Sequence, residues 1–583
     1  MVIIEADGEK NKRKKAQILA LNWKAPLQFC HCRSRAGRAW VKISSMSSLR
    51  KDCIIVISVI LLVLGLISLP YLLAARAVGQ DYAFGGFLFN PLDGNTYLAK
   101  MYEGWRGEWR FTLPYTADPG KGAYLFLFYI FLGHMAHLLS LPLPVMYHVA
   151  RLLCSMLMLL TLYQFFVILL QDRRAQLLAF ILAALGSGLG WLAAILGTVT
   201  SDFWVAEAYP FLSAFATPHF ALGLAVLLFL FIESIKWDKG KGLGRGIRIL
   251  LLSLILSIVA PFGIVIALTV LSIVLVWEAG LALIKRPASA SGANGIRRLP
   301  WLQMAYQERL LSIAENIMLV LVAGIPFLIY DLWAASADPI LAGWNIQNMT
   351  PSPRLWDLVI SMSPTLLLAG VGAWTVFKQR TLGGRLLVAW AVAGLVLLYA
   401  PFGIQRRFMM GLFVPLAGLA ALGLMHLAAG SRRRAFSLGA LLLVLSLPTT
   451  WLLLLSAQHG IQTHEPLLYL SHGEDQALDW LERNTPMNAL VLTGPDTGLF
   501  IPAQTGRRVL FGHPFETVNA GTEKANVTEY FLSGGESPPL PAQFPVDYIL
   551  VGPRELLLGE FTSTAGLRAV YQADGVTIYA IER

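Results

Sequence analysis

The 583-residue sequence predicts a polytopic α-helical membrane protein of about 11 spans, with a small extracytoplasmic α/β domain at its C-terminus. Three observations predict it. Hydrophobic residues make up 56% of the chain, charged residues 14%, and mean hydropathy is +0.61; a soluble domain needs more charge to cover its surface. Apolar runs recur at the roughly 20-residue length that crosses a bilayer. The net charge of +11, elsewhere a nucleic-acid signal, sits in clusters between those runs, as the positive-inside rule requires of cytoplasmic loops. No nucleic-acid partner is expected.

Residues 1–45 are basic, aperiodic and without a signal-peptide core. They read as a disordered arm or an over-extended gene start, the alternative being a basic arm for anionic lipid or nucleic acid. The membrane domain, 46–457, opens at Met46. Its expected spans are Cys53–Arg76, Val145–Leu170, Leu177–Val199, Thr217–Ile235, Gly246–Ala260, Gly263–Leu283, Leu311–Tyr330, Leu355–Phe377, Leu386–Pro401, Phe408–Ala428 and Phe436–Ser456. The run Gly122–Leu139 is left out of that count. If it crossed, Arg173, Arg174 and every later basic cluster would fall outside. It is therefore read as re-entrant or juxtamembrane. The result is a plasma-membrane protein with its N-terminus in the cytoplasm and residues 458–583 outside.

From about Gln458 the pattern changes. Ala477, Leu478 and Leu481 share one helical face, and Ala489–Leu492, Val509–Phe511 and Tyr548–Val551 read as short buried strands. Leu567–Tyr571 and Val576–Ile581 flank Asp574-Gly575, a strong hairpin signal. No phosphate-binding glycine motif occurs there. Of the four cysteines none lies in an external loop, and Cys30-His31-Cys32 offers too few ligands for a metal site.

Three external loops are expected, near 81–121, 200–219 and 331–354. The first holds ten aromatic side chains and five carboxylates; a long loop with that content is functional rather than disordered. Asp93 is the candidate catalytic acid. It opens a short helix in which Tyr97, Met101 and Trp105 recur at four-residue spacing, suited to lie in the membrane interface; a plain N-cap role for Asp93 competes. Asp202, Glu207 and Glu103 are candidate supporting acids. Arg406 and Arg407 sit in an outer turn, against the charge rule, which calls for another reason; bidentate phosphate contact is one and headgroup anchoring the other. His219 is a further donor-side candidate. His513-Pro514-Phe515-Glu516 reads as a surface turn.

An inside N-terminus, many spans, an acidic aromatic first external loop and a C-terminal outer domain resemble the GT-C superfamily of membrane glycosyltransferases, such as protein mannosyltransferases and lipid A aminoarabinose transferases. The resemblance covers residues 46–457 as architecture. Members often carry paired acids in the first loop, whereas here Asp93 is followed by Gly94, with Glu103 and Glu108 nearby. The resemblance implies transfer of a sugar from a polyprenyl-phosphate carrier to an extracytoplasmic glycan, lipid or protein acceptor. Asp93 would be the general base and Arg406, Arg407 and His219 the carrier-phosphate contacts. A metal is an open question: some members use a divalent cation against the donor phosphate. The alternative is a polysaccharide or lipid transporter, or an envelope-assembly scaffold. Transporters show repeats and mid-membrane charges; here no repeat is evident and the acids lie in loops.

Overall fold

A computed structural model describes residues 44–236, 242–284, 300–379, 381–401 and 403–582. The reading of residues 1–45 and of Cys30-His31-Cys32 lies almost wholly outside them. The chain is a multi-span helical membrane protein with a small C-terminal domain built on a mixed sheet. Among the described residues, eight helices are long and apolar enough to cross a membrane. They are Asp52–Arg76, Leu143–Leu169, Arg173–Ile195, Pro218–Ile235, Phe262–Leu283, Gln307–Ala337, Gln405–Leu427 and Arg432–Gln462. A ninth is the pair Leu355–Met362 and Thr365–Lys378, bent by 82° where Pro364 cannot donate a helical hydrogen bond.

Eight or nine of the expected 11 spans thus reach the length and hydropathy of a crossing by themselves. The two runs that fall short are still helical. Gly242–Val259 opens on Arg245 and Arg248. Leu382–Leu398 has 17 residues, about 26 Å at 1.5 Å per residue, against a hydrocarbon core of about 30 Å. Leu127–Leu139, with 13 residues, reaches only about 20 Å.

A two-stranded pairing ties the ends of the membrane domain together. β1 (Tyr82–Phe84) runs antiparallel to β2 (Tyr469–Ser471), Ala83 opposite Leu470. Both strands therefore lie on one side of the membrane, and the crossings between them must be even in number. Counting Gly242–Val259 and Leu382–Leu398 as crossings puts ten between the strands and meets that condition. It also keeps Lys121 beside Asp338, whose hydrogen bond is 2.7 Å, and Arg406 beside Thr350, at 3.1 Å; a full crossing by Leu127–Leu139 would break it.

The sheet of the C-terminal domain joins β3 (Leu490–Leu492), β4 (Arg508–Val509), β5 (Tyr548–Val551), β6 (Leu567–Ala573) and β7 (Val576–Ile581) in the order β4-β3-β5-β7-β6. β3 is parallel to β4 and β5; β7 is antiparallel to β5 and β6. The helix His472–Asn484 starts on a capping box, Ser471 with Glu474, and buries Ala477, Leu478 and Leu481. The first loop is built into this domain. The Val509 N–H donates to Pro114 O at 3.0 Å, and the Tyr115 hydroxyl donates to Leu499 O at 3.0 Å.

The Pro91–Trp105 helix is the centre of the first loop. Pro91 presets its first turn and Asn90 caps it from a left-handed conformation. It does not lie in the membrane interface as expected: Gly94 to Gly104 are all buried. Two glycines explain this. A Cβ on Gly104 would stand 1.9 Å from Ile130 O, and one on Gly133 would stand 1.9 Å from Met101 O. The Pro91–Trp105 and Leu127–Leu139 backbones therefore touch directly. On its other flank, the Tyr102 ring packs on Gly506 and its hydroxyl donates to Glu482 Oε1 at 2.5 Å. The third loop is shorter than expected, because one helix continues to Ala337; a second, Pro339–Gln347, follows.

Candidate active site

The site grows from the start of the Pro91–Trp105 helix. Asp93 is not its N-cap; Asn90 is, and its Nδ2 donates to Asp93 Oδ2 at 2.6 Å. This fixes the carboxylate at the positive end of the helix dipole. One turn on, Tyr97 stacks on Tyr129, ring centroids 4.3 Å apart and 9° between planes. The Tyr129 hydroxyl and His219 Nδ1 share a hydrogen bond of 2.6 Å. Burial, with Asp93 adding to it, holds the Tyr97 phenol well above its usual range, so it stays neutral. Asp93, Arg407, Glu207 and Glu516 all act electrostatically on that phenol. Tyr97 is thus the hub around which the charges gather.

Arg406 and Arg407 open the Gln405–Leu427 span on the same side as Asp93, and both feel its charge. Arg406 Nε stands 3.5 Å and Arg407 Nη1 3.4 Å from the single oxygen Glu207 Oε1. Glu207 is buried, and its own carbonyl is tied to the Gly411 N–H at 2.8 Å. Arg406 lies over the Trp204 ring at 5.0 Å and Arg407 over Phe220 at 5.7 Å. The third loop completes this wall, the Arg406 N–H donating to Thr350 O at 3.1 Å. Two guanidiniums carry about ten N–H donors between them. One carboxylate oxygen at these distances engages few of them.

The structure therefore brings together Asp93, Glu207, Arg406, Arg407 and, through Tyr129, His219. It does not bring in the other two acids. Asp202 is fully buried and accepts from the Gly188 and Gly190 N–H groups at 3.2 and 3.0 Å and from Thr200 Oγ1 at 2.6 Å. It ties the Thr200–Asp202 turn back to Gly188 and Gly190, at the break within the Arg173–Ile195 span. Burial pushes its carboxyl up. Glu103 lies ten residues beyond Asp93 in the same helix, about 15 Å away, where it accepts from Thr112 Oγ1 at 2.9 Å and pairs with Arg106.

Three residues of the group went unread in the sequence. Lys100, 2% exposed, donates to Glu516 Oε1 at 2.6 Å, its ammonium over the Phe126 ring at 4.4 Å. Glu516 and His513 belong to the turn expected on the surface; both are buried, at 8% and 1% exposure. The one signal in the sequence is a lone lysine on the apolar face that carries Tyr97. Among the described residues no group of three or more His, Cys, Asp or Glu gathers to hold a metal ion. A separate cleft of about 410 Å³ is lined by Arg110, Lys121, Tyr124, Tyr330 and Trp333. It contains none of the residues around Asp93.

No protein-family model matches the chain, and no curated protein does. Solved structures are similar to it in fold. One is the oligosaccharyltransferase of Archaeoglobus fulgidus in complex with zinc and sulfate. It is 14% identical at a TM-score of 0.45, over 88% of this chain and 73% of that one. Another is the arabinofuranosyltransferase AftD from Mycobacteria, 15% identical at a TM-score of 0.47, over 89% of this chain and 40% of that one.

Proposed function

We propose that this protein is a membrane glycosyltransferase of GT-C type that moves a sugar from a polyprenyl-phosphate carrier to an extracytoplasmic acceptor. The observation that carries this reading is one juxtaposition. A carboxylate from the first loop acts electrostatically on two under-engaged guanidiniums more than 300 residues later in sequence, and it and Arg407 both act on the Tyr97 ring. Arg406 and Arg407 suit the carrier phosphate, because charge-assisted, bidentate contacts are the strong form of phosphate recognition. Glu207 keeps the pair oriented. Asp93 suits the acceptor hydroxyl, which is a poor nucleophile at neutral pH until a carboxylate within hydrogen-bond reach takes its proton. The stabilising work on the departing phosphate falls to cations already fixed in place, which need no reorganisation as charge develops. The arginine- and lysine-rich loops on the opposite side support a cytoplasmic assignment for that face, with the site and the C-terminal domain outside.

The test is binding of a polyprenyl phosphate to the purified chain in nanodiscs, by microscale thermophoresis. Each charge-assisted contact is worth about 1.5–3 kcal/mol. Arg406→Ala/Arg407→Ala should therefore weaken binding by about 10²-fold or more. Arg406→Lys should fall between, since the ammonium keeps the charge without the planar fork. Equal affinity in the wild type and the double variant would remove the phosphate site.

A further inference from the structure

The turn His513–Thr517 is fixed more firmly than a connection needs. The Phe515 and Glu516 N–H groups both donate to His513 Nδ1, each at 3.0 Å. The Gly512 and His513 N–H groups both donate to Thr517 Oγ1, and the Thr517 N–H donates back to His513 O at 3.1 Å. With Nδ1 accepting twice, the proton of the neutral ring must sit on Nε2. Burial lowers the ring's pKa, which keeps it neutral. Yet Nε2 has no hydrogen-bond partner among the described residues, and neither has Glu516 Oε2, while Glu516 Oε1 is held by Lys100. Buried polar atoms are nearly always paired, and leaving one unpaired costs about 1–3 kcal/mol. Here a buried donor and a buried acceptor stand three residues apart, in rigid settings, both without partners. The Lys100 ammonium that holds Glu516 stands 5.7 Å from the Tyr97 ring centroid, and the His513 ring lies 5.9 Å from that of Tyr115 in the first loop. The unpaired atoms thus belong to the site and not to the far side of the domain.

We propose that His513 and Glu516 form a hydroxyl-reading subsite, in which His513 Nε2–H donates to, and Glu516 Oε2 accepts from, hydroxyls of a sugar-bearing substrate beside Asp93. This rests on the reading of the site as one for glycosyl transfer. It gives the C-terminal domain a part in recognition, since the two atoms that read the substrate come from that domain and Lys100 of the first loop holds one of them in place. Both are substrate-binding residues, and no proton of the reaction passes through them. A donor–acceptor pair of this kind discriminates sharply, because a substrate lacking the hydroxyl leaves both protein atoms buried and unpaired.

The test uses the full chain in nanodiscs and saturation-transfer NMR. The probes are methyl α-D-mannopyranoside, methyl α-D-arabinofuranoside and their singly deoxygenated forms. One parent glycoside should bind, and loss of one particular hydroxyl should weaken it about tenfold or more. His513→Asn should cause the same loss, and the sensitive deoxy form should bind that variant and the wild type alike. The asparagine oxygen can take the place of Nδ1 and keep the turn, but it carries nothing at the Nε2 position. His513→Gln places its amide there and should restore part of the binding. A purely structural role gives the opposite order, with asparagine tolerated and glutamine not. Failure of both parents to bind, equal binding of every deoxy form, or wild-type binding by His513→Asn would each overturn the proposal. Polyprenyl-phosphate affinity measured on the same samples separates the two readings. If it survives, only the hydroxyl subsite falls; if it is absent from the wild type, the donor site falls with it.

Discussion

Replacing the Asp93 carboxylate by an amide separates chemistry from folding, because the two costs differ in size. Asp93→Asn keeps the side-chain shape and an oxygen able to accept from Asn90 Nδ2, now 2.6 Å away. The fold loses a negative charge at a helix N-terminus, worth about 0.3–1 kcal/mol. It also exchanges a charge-assisted hydrogen bond for a neutral one, a further ~1 kcal/mol. Loss of a general base costs about 10²–10⁴-fold in rate, or about 3–5 kcal/mol of barrier at 1.36 kcal/mol per decade. Polyprenyl-phosphate release from a panel of polyprenyl-phosphate sugars should therefore fall at least 10²-fold, while the melting temperature moves by a few degrees at most. Carrier binding carries its own sign. Asp93 acts on both Arg406 and Arg407, so removing its negative charge should leave phosphate affinity equal or tighter. Turnover within threefold of wild type would refute a role for Asp93 in the chemistry. A rate loss accompanied by weaker carrier binding would show that the residue works by holding the arginines.

Three further perturbations probe the scaffold. Gly133→Ala puts a Cβ 1.9 Å from Met101 O and should lower stability by about 1–3 kcal/mol in thermal melts. Gly370→Ala, in the Thr365–Gln379 helix with nothing within 4 Å of the added carbon, should stabilise by about 0.5–1 kcal/mol. Lys100→Met leaves the buried Glu516 carboxylate without its cation and should cost about 3–5 kcal/mol, read as a loss of melting temperature. His513 makes stability pH-dependent in one direction. Its folded pKa lies below the unfolded value near 6.5, so the fold loses nothing above pH 6.5. Below that pH the unfolded chain takes up a proton that the folded ring refuses, despite the opposing pull of Glu516 and Asp93. Melting curves at pH 7.5 and 5.5 should differ less for His513→Asn than for wild type.

The sequence made some of this legible because the relevant physics is local. Tyr548–Val551 and Val576–Ile581 are strands at the bounds their apolar runs predict, and Asp574-Gly575 makes the turn before the second. The apolar runs all proved helical. Hydropathy registers composition, and so it shows neither the 82° bend after Met362 nor the shortness of Leu382–Leu398. The first loop could be picked out by its aromatic and acidic content. The burial of its helix could not, since Gly104 and Gly133 signal a close crossing only once each is seen against the other's backbone.

Within the site, residues with an anomaly of their own were the readable ones: Asp93 by its place in the loop, and Arg406 with Arg407 by breaking the charge rule. Asp202 and Glu103 resembled Asp93 in kind and differ only in what folds around them. Lys100 and Glu516 lie 416 residues apart, and nothing near either announces the other. His513-Pro514-Phe515-Glu516 has the chemistry of a turn and is one, with Pro514 and Phe515 exposed; His513 and Glu516 are buried where Tyr115 and Lys100 of the first loop meet them.

The central claim is that Asp93 and the Arg406–Arg407 pair serve one lipid-linked donor. Its most direct test is a cryo-electron microscopy structure of the chain in nanodiscs with a polyprenyl-phosphate sugar bound. The account predicts the phosphate against both guanidiniums at about 2.7–2.9 Å, the lipid tail leaving between spans, and the sugar between the arginines and Asp93. Phosphate density instead at Arg110 and Lys121, with Arg406 and Arg407 still turned to Glu207, would contradict it.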